Sequence, residues 1–126
     1  MKILVIEPER KPEVREIDGE LETMQGIVGG LIQATYPFGD TVALIVNDEG
    51  KILGLPMNRG LRDENGRLYD IICGTFFICG LGEENFASLT DEQIQKYKKV
   101  FAVPELFVNL NGRLAILPME QRHGQV

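Results

Sequence analysis

At 126 residues, with 44% hydrophobic and 25% charged residues, the chain has the size and make-up of one globular domain with a real core. Its net charge of −6 argues against a nucleic-acid binder, which needs a basic face to neutralise phosphates. Its apolar runs all fall short of the ~20 residues of a membrane span. Met1 to Ile6 is apolar, but Glu7-Pro8-Glu9-Arg10 follows at once, so the start does not read as a signal peptide. The chain is expected to be cytoplasmic. Seven of the first 22 residues are acidic. That permits a DNA-mimicking surface, but solubility is the simpler reason for it.

Lys2 to Ile6 reads as an interior strand and Val14 to Ile17 as a short partner. A helix is predicted from Gly19 to Gly29, with Asp18 as N-cap. Leu21, Met24, Ile27, Val28 and Leu31 form its apolar stripe. Gln33 to Tyr36 is a short strand that Pro37 ends. Thr41 to Asn47 is a strong strand, and Lys51 to Leu55 is expected to complete a hairpin with it across Asn47-Asp48-Glu49-Gly50. Arg67 to Cys79 reads as continuous strand, with Gly74 as a bulge or point of close contact. If Cys73 and Cys79 share that strand, they lie about 20 Å apart at ~3.3 Å per residue. That is too far for a disulfide. Both read as buried thiols in a reducing compartment.

The second helix, Asp91 to Phe101, has the clearest signals. Thr90-x-x-Gln93 is a capping box, and Leu89 with Ile94 is a hydrophobic staple. Leu106 to Leu110 and Arg113 to Leu117 flank Asn111-Gly112, a two-residue hairpin turn. Residues 118–126 read as a flexible tail after a single domain of residues 1–117. The predicted fold is α+β, a largely antiparallel sheet of about six to eight strands with two helices.

The densest polar stretch runs from Met57 to Arg67 and reads as a loop between strands. Arg presents a planar fork to a carboxylate or phosphate, and Asn offers both donor and acceptor. Asn58, Arg59, Arg62 and Asp63 are therefore the candidate ligand-binding residues, with Tyr36 and Tyr69 as aromatic neighbours and Phe38 beside Tyr36. The bland alternative is a solvated loop whose Arg and Asp side chains merely pair on the surface. No catalytic residue, metal ligand or cofactor is assigned. The one histidine, His123, lies in the tail without neighbours of ligating type. Gly80-x-Gly82 lacks the third glycine of a dinucleotide fingerprint and is followed by Glu83 and Glu84. Asp63 with Asp70 would serve as an acid–base pair, but nothing in their spacing calls for it.

The segments Tyr36-Pro37-Phe38, Val42 to Asn47 and Gly54-Leu55-Pro56-x-Asn58-Arg59 carry a resemblance, as do Tyr69 to Ile72 and Gly74-Thr75-Phe76-Phe77-Ile78. The chain resembles a bacterial and phage family known as domain of unknown function three-eight-four-six, from Lys2 to about Leu117. The resemblance implies an accessory role in a mobile element's dealings with its host. It supplies no catalytic residues. The function expected is a non-enzymatic module that binds a small polar or anionic ligand. The alternatives are a protein-interaction module that inhibits a host factor and, behind it, a carboxylate-dependent hydrolase. The partners expected are a small anionic ligand or a host protein, with no nucleic acid and no membrane.

Overall fold

The computed structural model describes residues 1–119. Five long or short strands in the order β2-β1-β7-β4-β3 make the main sheet: β1 (Lys2–Ile6), β2 (Glu13–Glu16), β3 (Ile32–Thr35), β4 (Val42–Asn47) and β7 (Phe76–Leu81). The short β8 (Phe86–Ala87) also pairs with β7. Two separate antiparallel ribbons complete the fold, β5 (Met57–Arg62) with β6 (Leu68–Cys73), and β9 (Glu105–Leu110) with β10 (Arg113–Pro118). The helices are α1 (Leu21–Val28) and α2 (Asp91–Val100). Every strand pair in the main sheet is antiparallel, so the fold is α+β. Among the described residues no helix is long and apolar enough to cross a membrane.

The three central strands are apolar but for Lys2 and Asn47 at their ends, because each face is covered. Ile3, Val5, Ala43, Ile45, Phe77 and Cys79 point to one side, where Met24 and Val28 of α1 close the core. Leu4, Ile6, Val42, Leu44, Phe76 and Ile78 point to the other, where α2 and the β5–β6 ribbon lie. The result is three layers with the sheet in the middle. The second layer is pinned by Asp40. It accepts hydrogen bonds from the Tyr97 hydroxyl at 2.8 Å and from the Thr41 N–H at 2.7 Å.

α2 forms as its sequence predicts. Gln93 N–H donates to Thr90 Oγ1 at 3.1 Å, and Thr90 N–H donates to Gln93 Oε1 at 3.0 Å. Leu89 and Ile94 are both buried. α1 is shorter than expected. Glu20 occupies the N-cap position without a side-chain bond. Asp18 caps from two residues further back, accepting from Glu20 N–H at 2.8 Å and from the Thr23 hydroxyl at 3.1 Å. Leu21 and Leu31, placed in the buried stripe by their spacing, are exposed. The eight-residue helix stops before its stripe is complete.

Two further expectations need correction. Lys51 to Leu55 is not a strand. Residues 48–54 coil into turns, with Leu53 N–H bonded to Glu49 O at 2.8 Å. Arg67 to Cys79 is not one strand either. The chain leaves the β5–β6 ribbon and enters the main sheet at Gly74, which has φ +87°. A Cβ there would meet Leu55 Cδ1 at 2.8 Å, so the crossing needs glycine on both counts. Cys73 and Cys79 therefore belong to different sheets; both are free thiols, Cys79 buried as expected and Cys73 only partly buried. The C-terminal hairpin forms on the predicted turn, with Asn111 and Gly112 both at positive φ. Pro118, assigned to the tail, ends β10, and Met119 N–H bonds Pro104 O. The remainder of the predicted tail, with His123, lies outside the described residues.

Candidate functional site

Asn58 and Arg59 do not lie in a loop. They lie in β5, and they are 0% and 1% exposed. Strand alternation alone would bury only one of two adjacent residues. A register shift against β6 between Met57 and Arg59 makes a bulge there, and the bulge lets both turn inward. Asn58 Nδ2 donates to Ile6 O and Gly74 O, each at 2.9 Å. Asn58 Oδ1 accepts from Arg59 Nη1 at 2.8 Å. Arg59 Nη2 donates to Arg10 O and to Phe101 O. Its Nε has no partner among the described residues.

Among the described residues no carboxylate is in direct contact with this buried cation. Burial pulls its pKa down and the field of Glu105 opposes that, but an arginine stays charged. The carbonyl of Phe101 closes α2, where the helix dipole is negative, which suits a cation. The pair thus ties the end of β1, the loop at Arg10, the Gly74 crossing and the end of α2 to one point. Apart from Arg59 Nε, its polar groups are engaged by the protein itself.

The other four candidates do not gather around it. Arg62 pairs with Glu105 at 2.9 Å, while the second Glu105 oxygen accepts from Gly60 N–H at 2.7 Å. Asp63 accepts from the N–H groups of Asn65 and Arg67, each at 2.9 Å, and so shapes the β5–β6 turn. Tyr36 is exposed beside the Leu81–Phe86 turn, and Tyr69 is exposed on β6. Phe38 leaves Tyr36 for the core, with its ring 4.8 Å from that of Tyr97.

A concave site lies elsewhere. α2 packs across β1, so the β3–β4 end of the same sheet face is left to the β5–β6 ribbon, which covers it only in part. The gap is a cleft of about 310 Å³. By register, Gln33 sits opposite Val46 and Thr35 opposite Leu44, and these four form its floor. Leu61, Ile72 and Cys73 form one wall. The other wall is the turn after β4, held by Asn47, whose Oδ1 accepts from Glu49 N–H at 2.8 Å and whose Nδ2 donates to Val28 O at 3.1 Å. At Gly50 this turn comes so close to β6 that a Cβ would sit 2.7 Å from Cys73 O. An ion pair between Lys51 and Asp70 bridges the two walls.

The cleft thus has an apolar interior and a polar rim, the usual make-up of a small-molecule site. Its rim carries three carboxylates, Asp48, Glu49 and Asp70, against one ammonium, Lys51. The Lys51 pKa is raised, chiefly by its hydrogen bond to Asp70. Burial pushes the Cys73 thiol up, and the opposing influence of Lys51 does not cancel this. Among the described residues nothing beside Cys73 therefore favours its thiolate strongly enough to offset burial. Among the described residues no three His, Cys, Asp or Glu side chains gather as a metal site. Of this rim, sequence reasoning singled out Asp70 alone. The remaining signals were the polar positions Gln33 and Thr35 alternating with Ile32 and Ala34, and the apolar Ile52-Leu53 inside a turn.

A three-layer antiparallel α+β domain with a side cleft defines the class of fold. The chain belongs to the family described as Domain of unknown function (DUF3846), which matches residues 1–102. The match stops before β9, short of the resemblance's reach to about Leu117. No curated protein and no solved structure matches the chain.

Proposed function

We propose that this protein is a non-enzymatic binding module whose ligand occupies the cleft over β3 and β4. The observation that carries this reading is the cleft itself: Leu44, Val46, Leu61 and Ile72 line it with apolar surface, Gln33 and Thr35 add polar groups on its floor, and its two walls are bridged by one ion pair. A lid-like turn closed by Lys51 and Asp70 can part and re-form at little cost, because exposed ion pairs contribute only ~0–1 kcal/mol. The excess of carboxylates on the rim favours a small amphiphile with a neutral or cationic head over an anion. This moves the expected ligand away from the anionic class, since Asn58 and Arg59 are committed to protein partners. An accessory role of phage or mobile-element type belongs to the same proposal and rests on the family resemblance, and a cytoplasmic setting belongs to it through the two free thiols. Duplex DNA is not among the proposed ligands, given the acidic balance of the chain.

Native mass spectrometry of protein purified from its own host tests the reading. The wild type is expected to retain a small molecule. Gln33→Trp, at an exposed position on the cleft floor, is expected to fold normally and lose it. Equal retention by both proteins would refute the cleft as the site.

A further inference from the structure

The β9–β10 ribbon exposes several large apolar side chains. Leu106, Leu110, Leu114 and Leu117 are between 37% and 58% exposed. The register places Leu106 with Leu117 and Val108 with Ala115 on one face, opposite to the face from which Glu105 reaches β5. Phe107 with Ile116 lies on the Glu105 face. Both faces are therefore apolar, and a lone two-stranded ribbon is marginal in water.

Its edge is open as well. β10 pairs with β9 alone among the described residues. The two edges of the main sheet are guarded. β2 reads Glu-Val-Arg-Glu, with Arg15 paired to Glu13 and Glu7, and β3 is four residues long with Gln33 and Thr35 on it. Charges and short length are the usual protection for an edge. β10 reads Arg-Leu-Ala-Ile-Leu-Pro, with its one charge at the start and its proline at the end. Nothing in its middle resists a second strand.

We propose that β10 pairs edge to edge with β10 of a second copy of this chain. Three features select that partner. The residues after Met119, Glu-Gln-Arg-His-Gly-Gln-Val, contain one apolar residue and cannot furnish an apolar strand. Residues 105–118 carry one acid, Glu105, and one base, Arg113, so the charge of −6 resides in the rest of the chain. The ribbon is thus a surface where two acidic molecules can meet without acid–acid repulsion. Finally, antiparallel pairing about a two-fold axis at Ile116 is self-complementary. It sets Ala115 against the Leu117 of the other copy and keeps the two Arg113 side chains at opposite ends.

Sedimentation equilibrium of the full chain across a concentration series tests this. The wild type is expected to move from monomer to dimer. Leu114→Lys with Leu117→Lys places at the seam the residue that natural edges use as a guard. Both positions are exposed in the single chain, so the variant is expected to keep its fold by circular dichroism. Its self-association is expected to weaken about 10- to 100-fold per lost leucine contact. Leu31→Lys, at an exposed leucine far along the chain from the ribbon, is expected to dimerise as the wild type does. A monomer at every concentration overturns the proposal. So does a dimer that survives the double lysine variant or is lost in Leu31→Lys.

Discussion

Arg59 and Arg62 stand three residues apart on one strand and have opposite fates. Arg59 is 1% exposed, touches no carboxylate among the described residues and donates to two distant backbone carbonyls. Arg62 sits at the surface with Glu105 as its partner. The same contrast separates the Asn58–Arg59 centre from the cleft over β3 and β4. In the first, polar groups converge on one another. In the second, they ring a hollow lined by Leu44, Val46, Leu61 and Ile72. The difference teaches that a cluster of recognition-type residues marks a site only when its hydrogen-bonding capacity is left unused. The Asn58–Arg59 cluster, engaged at every group but Arg59 Nε, is part of the fold, because removing one member strands buried partners.

The sharpest way to break this contrast is Arg59→Ala. It would leave Asn58 Oδ1 and the carbonyls of Arg10 and Phe101 without their donor and open a cavity the size of a large side chain. The expected loss is about 3 kcal/mol or more, read from the shift of the denaturant midpoint. Arg59→Lys should also be strongly destabilising, because an ammonium cannot span the same acceptors. Normal stability in both variants would return Arg59 to the list of ligand residues.

Thr90→Ala gives a middle-sized effect and calibrates the scale. Losing the capping box should cost about 0.5–2 kcal/mol with an unchanged slope. An unmoved midpoint would mean that the box adds nothing to α2.

Acid titration sharpens the polar side of the core. The hydrogen bond from Tyr97, then that from Thr41 N–H, holds the Asp40 carboxyl below its usual range. A depressed carboxylate stabilises the fold above its unfolded pKa, and that stability is lost as pH falls through the folded value. Stability should therefore drop as pH is lowered from about 4, and Asp40→Asn should flatten part of the drop. Tyr97 shifts the other way, raised by burial and then by Asp40. Its contribution is present below pH ~10 and falls away above it. An acid limb identical in wild type and Asp40→Asn would remove this latch from the account.

The smallest effect in stability is expected at the cleft. Lys51→Ala should move the midpoint by no more than ~1 kcal/mol, as for other exposed ion pairs. It should nonetheless speed the labelling of Cys73, which the turn at Gly50 covers. Cys79 is buried, with its thiol pushed up to about 12. It should react only as the protein unfolds. Unchanged labelling of Cys73 would mean that the Lys51–Asp70 pair does not control the cleft.

Much of the fold was legible where local chemistry and burial agree. The capping box at Thr90, the Asn111-Gly112 turn and the two-sided apolar strands each name their own structure. Gly74 was legible as special, but not as the point where one ribbon ends and the main sheet resumes. The apolar run from Ile71 to Cys79 hid that crossing, because Ile72 before it and Phe76 to Cys79 after it are all buried. The site was less legible. Arginine and asparagine in a polar stretch look alike whether they face solvent or the core, and the bulge that buries both leaves no pattern in sequence. The cleft is missing from the sequence for a different reason. It is a gap left by what α2 does not cover, and its floor joins β3 to β4 while its walls come from the following turn and from β6.

The most direct test of the central claim is a methyl-detected NMR titration of the whole chain with small neutral and cationic amphiphiles. Binding should shift the methyls of Leu44, Val46, Leu61 and Ile72 and leave the amide of Asn58 and the methyls of Ile6 in place. Shifts centred on Ile6 and Asn58, with the cleft methyls silent, would contradict it.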